Sequence, residues 1–338
     1  MRAPGFWSGP ASHPLARALA PVGAAYGRLT ARRMDGLGER TACPVLCVGN
    51  LTLGGAGKTP TAIRIAALLQ EAGARPAFLT RGYGGRERGP LLVDPERHDS
   101  EKIGDEPLLL ARVAPTVVAR ERPAGARLCA AQGADVVVMD DGLQNPSLTK
   151  TLSLAVVDAG AGIGNGLTFP AGPLRVPLDR QWRHVGGLVL IGEGAPGEAV
   201  AREALRRGLP VHRGRLVPEA ATDLAGRAVL AFAGIGRPEK FFETVRGCGA
   251  RLVETRAFPD HHRFSEKELA GLAEAALRLG AVLVTTEKDA VRLPAAFREA
   301  VTVLRVALAF ADEAPLRAQL DALMRPGIDP SPGPGRRI

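Results

Sequence analysis

The sequence predicts an α/β protein, a parallel sheet covered by helices on both faces with a smaller α/β domain after it. Three observations carry that prediction. Short apolar runs alternate with stretches of helical periodicity along most of the chain. The run Val45-Leu46-Cys47-Val48 feeds a glycine-rich turn that opens a helix at Lys58-Thr59. The strand–helix rhythm breaks near Val211 and restarts at Ala228.

A chain of 338 residues can bury two cores. Its apolar content of 46% and charged content of 23% are those of a globular protein. Aromatic residues make up only 4%, so aliphatic side chains must carry the packing. The net charge of +9 suits nucleotides, nucleic acid or an anionic membrane, and selects none of them alone. The four cysteines, Cys43, Cys47, Cys129 and Cys248, have no metal-ligand spacing and read as reduced core residues of a cytosolic protein. No run of about 18 apolar residues is present, which excludes a helix spanning a bilayer.

Residues 1–33 lack the layout of a cleavable signal, because prolines interrupt them and their charge is scattered. From Pro14, the residues Leu15, Leu19, Val22, Tyr26 and Leu29 recur at helical spacing, accompanied by Arg17, Arg28, Arg32 and Arg33. Such an amphipathic helix either lies in a membrane interface or packs on the protein's own core, and the sequence leaves both open.

The turn at residues 49–59 is built to cradle polyphosphate, as in P-loop NTPases. Gly54, Gly55 and Gly57, with Ala56, let backbone N–H groups converge on an anion at a helix N-terminus. Lys58 then reaches terminal phosphates, and the Thr59 hydroxyl suits Mg²⁺. The usual pattern has glycine six residues before the lysine, where this chain has Thr52. A helix with Ile63, Ile65, Ala66, Leu68 and Leu69 on its apolar side follows, ended by Gly73.

Pro76-Ala77-Phe78-Leu79-Thr80 is a second strand, and Arg81-Gly82-Tyr83-Gly84-Gly85 a turn at its carboxyl end, where ligands of parallel sheets bind. Gly104-Asp105-Glu106-Pro107 precedes a helical run. Its acids are either helix caps or a general base held at a helix tip. The strand at 135–139 ends in Asp140-Asp141, acids of the kind that hold Mg²⁺ beside a phosphate-loop hydroxyl. Residues 152–158 and 187–191 continue the sheet around a long Gly/Pro-rich connector. In the later part, Asp260-His261-His262 lacks a third ligand at zinc spacing. Ser265 with Glu268 predicts a capped helix.

Taken in order from about residue 45 to 293, these stretches resemble the tetraacyldisaccharide 4′-kinases of lipid A synthesis. The resemblance rests on the cradle, Arg81 to Gly85, Gly104 to Pro107, Asp140-Asp141-Gly142-Leu143-Gln144 and Pro170-Ala171-Gly172-Pro173-Leu174-Arg175. Phe258 to His262 and Thr285-Thr286-Glu287-Lys288-Asp289-Ala290-Val291 complete it. It implies ATP-dependent phosphorylation of the 4′-hydroxyl of a tetraacylated glucosamine disaccharide 1-phosphate, with Mg²⁺, at the cytoplasmic face of a bacterial inner membrane. It further implies that Lys58 holds phosphates, that Thr59, Asp140 and Asp141 organise the metal, and that Asp105 is the base with His261 as partner. The implied partners are the lipid A precursor and a membrane surface reached through the N-terminal segment, with neither nucleic acid nor an obligate protein partner. The family usually has Glu after the Leu-Arg of the 170s loop, where this chain has Val176.

The expected layout is an amphipathic segment at 1–33, a kinase core at 34–213, a C-terminal α/β domain at 214–324 and a disordered tail at 325–338. A regulatory GTPase is disfavoured, since Thr286-Glu287-Lys288-Asp289 is not Asn-Lys-x-Asp and neither Asp140 nor Asp141 has glycine three residues on. The other rivals are a nucleic-acid-binding ATPase, with steep salt dependence, and a kinase of small soluble substrates.

Overall fold

A computed structural model describes residues 4–219 and 223–325. The expected tail lies, but for Arg325, outside the described residues. The strands are β1 (Val45–Asn50), β2 (Pro76–Thr80), β3 (Leu91–Leu92), β4 (Thr116–Val118), β5 (Val136–Asp140), β6 (Leu152–Asp158) and β7 (Gly187–Ile191). After them come β8 (Val211–Pro218), β9 (Ala228–Ala233), β10 (Arg251–Ala257), β11 (Val282–Thr286), β12 (Thr302–Leu304) and β13 (Val306–Phe310). Nine form one sheet in the order β13-β8-β7-β6-β1-β5-β2-β4-β3. Its interior pairs are parallel, and only the two edge strands, β3 and β13, run antiparallel to their neighbours.

β1 lies at the centre of this sheet, between β5 and β6. Its side chains alternate between two cores, as strand geometry requires. Val45 and Cys47 join one apolar cluster, Leu46 and Val48 the other. The helix α2 (Lys58–Glu71) covers the second face through Ile65, Leu68 and Leu69. The helices Arg122–Ala131 and Ala195–Arg206 cover the first through Ala126, Cys129, Val200 and Ala204.

The boundary expected at 213/214 is corrected. β8 continues to Pro218 and extends the large sheet beside β7, and β13 returns to pair with β8. The helix Ala314–Met324 then packs Leu316, Leu320 and Leu323 against the α2 face. The second unit, with its all-parallel sheet β10-β9-β11-β12, is thus inserted between β8 and β13. β8 escapes sequence reading because Val-His-Arg-Gly-Arg-Leu-Val-Pro is too polar for a buried strand; most of it is half-buried or exposed.

The N-terminal helix α1 (Pro14–Met34) packs on the core with its small residues. Ala16, Gly23, Gly27 and Ala31 are buried. A Cβ at Gly23 would stand 2.6 Å from the Thr168 carbonyl oxygen, and one at Gly27 3.0 Å from Pro177 Cγ. Met34 is buried with them and Leu19 is half-buried, but four large apolar side chains are exposed. Leu15 and Val22 are each 56% exposed, Tyr26 39% and Leu29 69%. No helix among the described residues is long and apolar enough to cross a membrane.

Candidate active site

The turn expected to cradle phosphate runs from β1 into α2. Gly57 caps the helix in the left-handed region (φ 87°), and Gly54 is also left-handed (φ 103°), so both need glycine. Gly57 additionally lies against β7, since a Cβ there would meet Ile191 Cδ1 at 2.6 Å. Asn50 Nδ2 donates to the Gly54 carbonyl at 3.0 Å and ties the loop to the strand end. The Thr61 hydroxyl donates to Gly57 O at 2.8 Å.

β5 pairs with β1 so that Val48 stands beside Asp140. That register brings the Thr59 hydroxyl to Asp140 Oδ2 at 3.3 Å. Asp140 is 3% exposed, and its Oδ1 is buried without a hydrogen-bond partner. Burial pushes this carboxyl up to about 6, although Lys58 pulls it down. An orphaned carboxylate oxygen beside a threonine hydroxyl fits a divalent cation, and Mg²⁺ needs few protein ligands because water and phosphate supply the rest. Among the described residues no cluster of three acidic, His or Cys side chains forms a metal cage of its own.

Asp141 takes a different place. It sits in the left-handed region (φ 55°) and accepts from Arg175 Nη1 at 2.9 Å and Nη2 at 3.1 Å. Lys58 Nζ lies 3.8 Å from its Oδ1. Burial works to raise Asp141, but Lys58 and Arg175 outweigh it and hold the group below the usual carboxylate range. Burial lowers the Lys58 ammonium in turn, against the pull of Asp141. Arg175 also donates from Nε to Thr52 O at 3.1 Å, so one guanidinium joins the cradle loop to the acid turn. In the sequence Arg175 stands only as the last residue of the motif from Pro170, 34 positions from Asp141, so no local signal marks it as the partner of that acid. Its neighbour Val176 is 1% exposed and belongs to the apolar cluster on the sheet face opposite α2.

Asp105 begins the helix Asp105–Leu110, whose N-cap is Gly104. Asp105 Oδ2 receives His261 Nδ1 at 2.8 Å from the second unit. Arg292, also from the second unit, donates to the same oxygen from Nε at 2.8 Å. Burial works to raise Asp105, but the bonds from His261 and Arg292 hold it below the ordinary range. The bond to Asp105 raises His261 against the effect of burial. Tyr83 stands edge-on to the His261 ring, with centroids 5.4 Å apart. His262 points elsewhere, bonding Glu268 at 3.0 Å and stacking on Phe258. Next to Asp105, Glu106 accepts from Lys288 Nζ at 2.7 Å. Asp140 feels the charges of both Glu106 and Lys288, which joins the dyad and the cradle in one field. Arg81, at the end of the β2 turn, is exposed. Cys47 and Cys129 are buried and free, with thiols pushed up to about 11 and about 12 by burial.

The geometry is therefore a glycine-rich turn at a helix N-terminus, a carboxylate pair at the adjoining strand tip and an Asp–His pair closed across two units. Comparison with known proteins gives it a lineage. The family model of LpxK, tetraacyldisaccharide-1-P 4′-kinase, matches residues 15–325. A tetraacyldisaccharide 4′-kinase of Methylorubrum extorquens (strain PA1) is 70% identical over 322 residues, covering 95% of this chain and 98% of the relative. One from Rhodopseudomonas palustris (strain BisB5) is 52% identical over 322 residues, covering 94% and 95%. The crystal structure of LpxK from Aquifex aeolicus in complex with ATP is similar with a TM-score of 0.73 at 26% identity, covering 92% of this chain and all of that one. On sequence, fold and site together, the chain belongs to the tetraacyldisaccharide-1-phosphate 4′-kinase family.

Proposed function

We propose that the protein transfers the γ-phosphoryl group of ATP to the 4′-hydroxyl of a tetraacylated glucosamine disaccharide 1-phosphate, a step of lipid A synthesis. The observation that supports this reading best is the bond of 2.8 Å between Asp105 of one unit and His261 of the other, in the same field as the cradle acids. Phosphoryl transfer needs positioning and charge neutralisation more than covalent chemistry. Gly54, Gly55, Ala56 and Gly57 present backbone donors to the phosphates, and Lys58 neutralises their charge. Asp105 takes the sugar hydroxyl's proton on the oxygen that His261 leaves free. Once Asp105 is neutral its hold on the imidazolium is lost, so His261, 30% exposed at its side chain, releases a proton of its own to solvent and the charge balances.

Thr59 and Asp140 would hold Mg²⁺, which when bound neutralises phosphate charge. Asp141 acts from beside them, through Lys58 and Arg175. Incubating the purified protein with labelled ATP and the lipid disaccharide, with and without Mg²⁺, tests the reading. Label appearing in the lipid only with Mg²⁺ is the expected result. Transfer to soluble sugars without lipid or detergent would instead favour a small-molecule kinase.

The acceptor's acyl chains stay in a bilayer, so the enzyme has to work at that surface. The outward Leu15, Val22, Tyr26 and Leu29 of α1, with Arg17, Arg28, Arg32 and Arg33, suit burial at the headgroup boundary of anionic lipid. A peripheral place on the cytoplasmic face of the inner membrane follows, with the lipid precursor as partner.

A further inference from the structure

The segment Thr285 to Arg292 has no part in the phosphate cradle, yet it delivers a buried cation to Asp105. Arg292 is 4% exposed at its side chain and Asp105 7%. Its Nε donates to Asp105 Oδ2 at 2.8 Å, and its Nη2 lies 2.7 Å from the same oxygen as an ion pair without hydrogen-bond geometry. Nη1 donates to Gly234 O and to Asp289 Oδ1, both at 3.0 Å. Asp289 is itself fully buried and fixed, its Oδ1 accepting from Gly234 N at 3.0 Å and its Oδ2 from the Thr286 hydroxyl at 2.6 Å. A buried arginine held at three sides has little freedom left, so it is aimed before any substrate arrives.

Its target atom matters. His261 and Arg292 converge on Oδ2, and among the described residues Asp105 Oδ1 takes no hydrogen bond. A carboxylate pinned by one oxygen presents the other in a fixed direction. An Asp–His pair alone can share a proton either way, leaving the carboxyl neutral part of the time in a buried site. A permanent cation on the same oxygen removes that ambiguity.

We propose that Arg292 is a positioning residue for the base, supplied by the second unit: it turns Asp105 Oδ1 toward the acceptor hydroxyl and keeps the carboxylate ionised whatever the state of His261. This rests on the reading of Asp105 as base. The other charges facing Asp105 are Lys288 and Asp289, and those facing His261 are Asp105, Glu106 and Asp260. Glu106 and Lys288 are paired with each other. Asp289 is paired with Arg292, which leaves Arg292 and His261 as the cations in direct contact with Asp105.

The test is a pH series of kcat and KM on the full-length protein, with ATP and the lipid disaccharide in detergent micelles. Arg292→Met should lower kcat about 10- to 100-fold with KM for ATP within about threefold, the pattern of a lost transition-state contact. It should also raise an acidic limb into the accessible range, because Asp105 loses the cation that holds it ionised. Arg292→Lys keeps the charge without the fork, so it should restore the native limb and only part of kcat. In Arg292→Met, His261 should titrate at higher pH by NMR, since the repelling cation is gone. A Met variant with native kcat and native limb overturns the proposal, as does a Lys variant whose limb moves as far as that of Met. If the Met variant does not fold, Arg292→Gln, an uncharged side chain whose amide nitrogen falls where Nε now stands, is read for the same limb. Asp105→Asn run in parallel separates the two claims: activity there removes the base itself, whereas an inactive Asn variant beside an unaffected Arg292→Met removes only the role of Arg292.

Discussion

Asp140 and Asp105 are both buried carboxylates, and their surroundings push them in opposite directions. Asp140 keeps an orphaned oxygen and is raised to about 6, so at neutral pH the folded state bears the cost of an ionised acid. Asp140→Asn should therefore stabilise the nucleotide-free protein at pH 7.5, by about 1–3 kcal/mol from a shift of this size, while turnover is lost. Thermal melts check this, and an unchanged or lowered Tm would place the charge in a satisfied site. The gain should shrink as pH falls through 6, where Asp140 takes up its proton in the folded state. Asp105 behaves conversely. Its folded pKa is depressed, so its stabilisation is present above the unfolded value of about 3.9 and fades as pH falls toward the folded one. His261 is raised, so its contribution is complete below about 6.5 and fades as pH rises through the folded value. The difference in Tm between the native protein and His261→Gln should accordingly narrow above about pH 6.5, and a gap independent of pH would count against the ion pair. Both residues were legible as a motif, but a sequence could not tell whether Asp105 caps its helix or faces other side chains, because its partners lie more than 150 positions away.

At the scale of elements, α1 resolves an ambiguity that its periodicity left open. The helix packs on the core and also leaves Leu15, Val22, Tyr26 and Leu29 exposed, because the packing is done by Ala16, Gly23, Gly27, Ala31 and the terminal Met34. Small residues allow close backbone approach and free the bulky face for another surface. Two sets of variants should separate the roles. Changing Leu15, Val22 and Leu29 to Ser should abolish cosedimentation with anionic vesicles and shift Tm little, since those side chains are exposed. Gly23→Val should lower stability by about 1–3 kcal/mol, because its Cβ would meet the Thr168 carbonyl. Vesicle binding retained by the triple Ser variant would dismiss the exposed stripe as the membrane contact.

For the whole molecule, charge pairs join the two units on both sides of the cradle strand. On one side stand Asp105–Arg292, Glu106–Lys288 and the more exposed Glu101–Arg263. On the other, Asp158 at the tip of β6 binds Lys240 and lies 3.2 Å from Arg237 Nη1. Asp158 is 11% exposed at its side chain, but Lys240 is half in solvent, so this second tie is screened by salt and weaker than the first. Asp158→Ala should let the second unit swing outward, read as a larger radius of gyration in X-ray scattering, most clearly at low salt. An unchanged radius would mean that the Asp105 side alone holds the units together.

The sequence by itself determined the local chemistry: the cradle of Gly54 to Thr59, the acids after Met139, the alternation of strands and helices, and the capping box of Ser265 and Glu268 that the structure contains. These are properties of neighbouring residues, and neighbouring residues are what periodicity and spacing record. Only the tertiary structure decided that β13 returns to β8, that Arg175 bridges the cradle to Asp141, and that Arg292 rather than a helix end meets Asp105. Each of these depends on which distant segments pack together. That choice is made by the summed burial of whole faces and leaves no mark at the residues themselves.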